Sequence, residues 1–327
     1  MKKTFLAVLA AALLFCLSLS GCKSAPGRPT GDAGLHIVTT IFPEYDWVRN
    51  VLGKNPNGAK LTLLLDSGVD LHSYQPSVAD ISVISHCDLF VYVGGESEKW
   101  VAKALEEADN PNMVVINLLD VLGDAAKEEE LAEGMQPEDH DHDDHDDEVE
   151  YDEHVWLSLR NTALFVDSIL QGMIKLDSVN AEYYRSQAED YLAKLNALDR
   201  EYEEAVASAS VRTLLFGDRF PFRYLTEDYG LSYYAAFVGC SSETEASFET
   251  IAFLAQKMDE LSLHSVLTIE GSDGRIARTI VENTQSKDQQ ILALNSMQAT
   301  TAADIRNGTT YLSIMEQNLK VLKQALK

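Results

Sequence analysis

The side chains in this sequence best suited to holding a ligand are its eight histidines: His36, His72, His86, His140, His142, His145, His154 and His264. Three of them fall within six residues, in Pro137-Glu-Asp-His-Asp-His-Asp-Asp-His-Asp-Asp147. A tract without apolar residues cannot pack, so a solvated loop is expected there. Imidazoles among carboxylates suit zinc and similar borderline cations, weakly and without fixed geometry. His140, His142 and His145 are therefore expected to capture metal. His72 stands in Gly68-Val-Asp-Leu-His-Ser-Tyr-Gln-Pro76, after a predicted strand and before a predicted helix. His154 stands in Asp152-Glu-His-Val-Trp-Leu157, where the acidic stretch runs into a helix. Taken singly, each fits a ligand or a structural histidine equally well. His36, His86 and His264 lie at strand starts or helix ends, where structural roles are expected.

The elements that must position these groups read as two α/β sets. His36–Ile41, Lys60–Leu65, Leu89–Val93 and Met113–Ile116 are short β-branched runs, with amphipathic stretches Pro43–Leu52, Val78–Ile84 and Glu98–Ala108 between them. Arg212–Phe216, Leu231–Ala235, Ser265–Ile269 and Gln290–Leu294 repeat the pattern, with helices expected at Ser247–Leu261, Arg275–Glu282 and Tyr311–Leu326. Strands alternating with helices imply parallel sheets covered on both faces. Between the sets, helical periodicity runs from Asn161 to Leu176 and, after a break at Asp177 and Asn180, from Ala181 to Ala209. The fold class is thus α/β, two lobes joined by a long connecting helix. The expected division is a leader over 1–21, a tether over 22–34 and an N-terminal lobe over 35–158 that includes the acidic loop 124–153. A connecting helix over 159–176 and a C-terminal lobe over 177–327 complete it. Open parallel sheets bind ligands at the carboxyl ends of their strands, so the cleft between the lobes is the expected site.

Length and charge agree with this. At about 150 residues per domain, 327 residues suggest two domains. Lys and Arg total 26 against 52 Asp and Glu, for a net charge of −26, which argues against a nucleic-acid partner. Sixteen of the acidic residues lie between Asp124 and Glu153 with only Lys127 among them. At the other end, Lys2 and Lys3 precede an apolar run from Phe5 to Leu19, the length of a secretory signal core and short for a membrane span. It ends in Leu19-Ser-Gly-Cys22, which resembles a bacterial lipobox, with Cys22 as the lipid anchor. The expected location is lipid-anchored on a bacterial cell membrane, facing outward. Cys87 and Cys240 are expected to be unpaired.

Taken together, Gly-x-Asp-x-His-x-Tyr-x-Pro, the acidic His-rich loop, His-Val-Trp-Leu and the terminal Gly308-Thr-Thr-Tyr-Leu-Ser-Ile-Met-Glu-Gln-Asn-Leu319 resemble the zinc/manganese solute-binding lipoproteins of ABC importers, the ZnuA/TroA-like cluster. The resemblance covers essentially the whole mature chain. It implies a Zn²⁺ or Mn²⁺ ion held between the lobes by about four ligands and delivered to a permease and its ATPase by a monomeric receptor that is not an enzyme. His72 and His154 fall on the first two ligand positions. The third, usually the His of His-Asp-Ala-Phe-Gly-Tyr-Leu, is Arg219 in Arg219-Phe-Pro-Phe-Arg-Tyr-Leu225. Guanidinium does not ligate metal. Near the final strand, Asn295 stands where a carboxylate is usual. Glu270, at the end of a predicted strand, is the preferred substitute ligand. Asp218 and Asn295 are additional candidates, and Glu243 and Glu245 lie on a loop at the same face.

Two other classes stay open on sequence grounds. One is a surface zinc hydrolase, although the chain has no His-Glu-x-x-His and no arguable Ser/His/Asp arrangement. The other is an adhesin or metal-buffering lipoprotein without a transport role.

Overall fold

The structure, a computed structural model, describes residues 34–137, 150–241 and 245–327. His140, His142, His145, Glu243, the leader and Cys22 lie outside the described residues.

The first sheet contains β1 (His36–Thr39), β2 (Lys60–Leu63), β3 (Leu89–Tyr92) and β4 (Val114–Asn117), in the order β2-β1-β3-β4. The second contains β5 (Thr213–Phe220), β6 (Ser232–Val238), β7 (Ser265–Ile269) and β8 (Gln290–Leu294), in the order β6-β5-β7-β8. Every pairing is parallel. Parallel strands need covered crossovers, which is why β3 reads as an unbroken apolar run and its Leu89, Phe90 and Val91 are fully buried. In both sheets the strand order reverses beside the first strand, which gives each lobe a switch point of the kind where open α/β sheets bind ligands.

Helices α1 (Phe42–Leu52), α2 (Val78–Ser85), α3 (Trp100–Glu106) and the unexpected short α4 (Leu118–Leu122) complete the first lobe. Pro43 opens α1, where proline's fixed φ suits the first turn. Glu44 Oε2 accepts the backbone N–H groups of Thr40 and Ile41 there, at 2.9 and 3.2 Å. α5 (Leu159–Leu176) buries Phe165, Val166, Ile169 and Met173 but leaves Leu164 exposed to solvent. α6 (Ala181–Ala207) is 27 residues long, about 40 Å. The second lobe adds α7 (Arg223–Tyr229), α8 (Phe248–Glu260), α9 (Arg275–Asn283), α10 (Ala302–Arg306) and α11 (Tyr311–Ala325). α6 is the helix that joins the lobes, packing on α1 of the first and on α7 and α11 of the second. The segment 159–176, in α5, lies instead against β3, β4 and α1.

A dry aromatic junction binds the two lobes. Trp47 stacks on Phe165 at 5.6 Å and meets Tyr311 edge-on at 5.4 Å. The Tyr311 hydroxyl donates to the Trp156 carbonyl at 2.8 Å, and its backbone N–H donates to Asp46 Oδ2 at 2.9 Å. Among the described residues no helix is long and apolar enough to cross a membrane.

One half-buried acid beside this junction has its carboxyl held above the usual range. Ser158 caps α5 through Asn161 N–H and donates to Asp228 Oδ2 at 2.6 Å. Burial pushes Asp228 up from 3.8 to about 6, against the opposing pull of Ser158 and Arg160. The folded state therefore binds this proton more tightly than the unfolded state does. The charge costs stability above pH 6, and the cost fades as pH falls towards 4. Asp228→Asn is expected to raise stability by roughly 1–2 kcal/mol at pH 7.5 and by little at pH 4. Denaturant melts at both pH values check this, and a constant difference between variant and wild type would refute it.

Candidate metal centre

Two Asp-x-His turns build the centre. Asp70 caps a single turn, Leu71–Ser73, after β2, and its Oδ1 accepts both the backbone N–H of His72 (3.1 Å) and its Nδ1 (2.6 Å). Asp152 repeats the device ahead of the turn Val155–Leu157, accepting His154 N–H and Nδ1, each at 2.9 Å. A carboxylate on Nδ1 fixes the proton there and leaves Nε2 as a lone-pair donor, the usual outer support of a metal-bound imidazole. The two rings lie 5.2 Å apart at 34°. His154 is fully buried, and the His72 side chain is 12% exposed. Burial alone would raise Asp70, but His72 and Arg219 outweigh it and hold the carboxyl well below the usual range.

A third group comes from the second lobe. The ligand atoms of His72, His154 and Cys240 all lie within 4.8 Å of one another. Cys240 follows β6, and Gly239 makes the approach possible. A Cβ on Gly239 would fall 2.8 Å from His154 Cε1 and 3.0 Å from the Phe220 carbonyl oxygen. Cys240 and Cys87 are both free thiols. Burial, followed by the charges of Glu129, Glu153 and Asp152, pushes the Cys240 thiol well above its ordinary value. Arg219, at the end of β5, bonds Asp70 Oδ2 at 2.9 Å and the Ser241 carbonyl at 3.3 Å. The side chain standing at the usual histidine position thus straps the His72 turn to the Cys240 turn.

Glu153 flanks the group from the side of His72. Its Oε1 accepts Ser97 N–H at 2.8 Å, while Oε2 lies 3.6 Å from His72 Nε2, and neither of these two atoms has a hydrogen-bond partner. Gly95, at φ +82°, admits the carboxylate, since a Cβ there would sit 2.4 Å from Oε1.

The other candidates lie around the centre rather than in that group of three. Glu270 accepts from Ser296 N–H (2.6 Å), Ser296 Oγ (2.9 Å) and Gln298 N–H (3.1 Å), so both oxygens clamp the 296–298 turn. Asp218 caps its own neighbour, Arg219 N–H, at 2.9 Å, and Asn295 Oδ1 accepts Met297 N–H at 2.8 Å. The clamped turn delivers a residue that sequence reasoning missed. Gln298 Nε2 stands 3.1 Å from His154 Nε2 and 3.3 Å from His72 Nδ1. Sequence reasoning also misses Cys240, expecting only that it is unpaired, although it places the nearby Glu243 and Glu245 on a loop at the same face. The available signal was a glycine-cysteine pair at a strand's carboxyl end in a lobe whose usual histidine is absent. A cleft of about 580 Å³ opens beside the centre, with Asp70, Arg219 and Glu270 on its wall.

Residues 37–325 match the family described as zinc-uptake complex component A, periplasmic (ZnuA). The zinc-binding lipoprotein AdcA of Streptococcus pneumoniae is 32% identical over 331 residues, covering 99% of this chain. The chain spans 61% of that protein's length. The high-affinity zinc uptake system protein ZnuA of Bacillus subtilis is 29% identical, with 99% of this chain and 98% of that protein covered. Among solved structures, the Zn(II)-bound ZnuA-like domain of S. pneumoniae AdcA superimposes with a TM-score of 0.69 at 28% identity, covering 90% of this chain and 99% of that one.

Proposed function

This chain belongs to the ZnuA family of periplasmic zinc-uptake components, and from that premise we propose that it is an extracytoplasmic receptor that captures Zn²⁺ between its lobes and hands it to an ABC permease and its ATPase. The observation that carries the reading is the pair of Asp-x-His turns, from two separate stretches of chain, that present two imidazoles 5.2 Å apart. Each carboxylate makes its imidazole a better donor and holds its ring ready, so little ordering entropy remains to oppose binding. Submicromolar capture needs about −8 kcal/mol, within reach of two positioned imidazoles and a further anionic ligand. The acidic stretch raises the local concentration of cations, and Cys22 tethers a monomeric receptor outside the membrane. The work is binding and release, with no bond of a substrate broken.

The cellular test is loss of the gene under zinc limitation. Growth and cell-associated zinc should fall, and added zinc should restore growth where added manganese does not. Restoration by manganese alone would reassign the cargo. Unchanged zinc accumulation would end the uptake reading.

A further inference from the structure

We infer that Cys240 supplies a thiolate as the third zinc ligand, replacing the imidazole lost at Arg219, with the Glu153 carboxylate closing a mixed nitrogen, sulfur and oxygen set. This rests on the receptor reading above and names the chemistry of that site. Tetrahedral zinc, with bonds of about 2.0–2.3 Å, holds its ligand atoms roughly 3.5 Å apart. The three atoms already within 4.8 Å therefore need to close by little more than an ångström. Two contacts hold the sulfur there, and no disulfide competes for it. Gly239 lets the turn rest on the His154 ring, and Arg219 grips the Ser241 carbonyl. The fourth position has its own evidence. Glu153 is almost wholly buried, and its Oε2 lacks a hydrogen-bond partner and lies 3.6 Å from His72 Nε2. Thiolate and carboxylate together cancel the ion's charge, which a largely buried site favours. Gln298 must release His154 Nε2, and the entering cation replaces its N–H donor at that lone pair.

The binding step is a substitution without redox change. The Cys240 S–H bond breaks heterolytically, sulfur keeps the electron pair and donates it to Zn²⁺, and the proton leaves to the buffer. A soft sulfur donor favours zinc, cobalt(II) and cadmium over manganese.

The test loads the full chain with Co²⁺ and reads the thiolate-to-cobalt charge-transfer band, alongside zinc competition with a chromophoric chelator. The wild type should show the band, and Cys87→Ala should keep it, since Cys87 is packed in a separate cluster with Val38, Ile84 and Phe90. Cys240→Ser should lose the band and weaken zinc binding by about a hundredfold. Tight zinc binding with no band in the wild type overturns the thiolate assignment while leaving the receptor reading intact. So does a Cys240→Ser variant with wild-type affinity. No tight zinc binding by the wild type overturns both. The wild-type spectrum decides even if a variant fails to fold.

Discussion

His154→Ala and His72→Ala should each bind zinc at least a hundredfold more weakly than the wild type in a calorimetric or chelator-competition titration. Outer-shell partners of metal-bound imidazoles are alone worth roughly 10–100-fold, and these substitutions remove the donor atom itself. His154→Ala should be the worse of the two, since His154 is fully buried and touches Trp156 at 5.2 Å. Its loss also leaves Asp152 without the ring that Oδ1 orients. The double variant should lose less than the sum if, as proposed, the two imidazoles bind one ion. Wild-type affinity in both single variants would sink the assignment of the cleft.

Trp156→Ala should destabilise the fold by about 3–5 kcal/mol, the range for emptying a buried aromatic site. The indole is almost wholly buried, and its Nε1 donates to the Ser296 carbonyl at 2.8 Å across 140 residues of sequence. The substitution thus opens a cavity and strips a buried acceptor of its donor, which adds about 1 kcal/mol. Zinc affinity should fall too, because the ring supports His154 on one side and the turn carrying Gln298 on the other. Trp156→Phe, which keeps most of the volume, should cost much less. Denaturant titration gives the stabilities, and a loss below 1 kcal/mol in Trp156→Ala would show that the junction is not as dry as its burial implies.

Much of the architecture was legible in the sequence because its causes are local. The strands Ser265–Ile269 and Gln290–Leu294 match residue for residue, since β-branched runs bounded by turn residues have few other solutions. Boundaries slipped where a tertiary contact set them. β5 runs on to Phe220 rather than ending at Phe216, since β6 pairs with it through Arg219 and Phe220. The short helices α4, α7 and α10 carry too little periodicity to announce themselves.

The same division runs through the site. Asp70 with His72, and Asp152 with His154, are contacts two residues apart, so the composition of each turn already contained an oriented imidazole. Glu270 illustrates the opposite case. Its position at a strand end was readable, but its commitment to the 296–298 turn depends on where β8 hands the chain over, 26 to 28 residues later. Cys240 needed more still. Its meeting with His72 and His154 depends on the strand order β6-β5-β7-β8, on the strap from Arg219 and on a glycine flat against an imidazole. Periodicity and turn chemistry act over a few residues and are written in the chain itself. Which strand ends face each other across a cleft is a property of packed lobes, and only there do two histidines and a distant cysteine become neighbours.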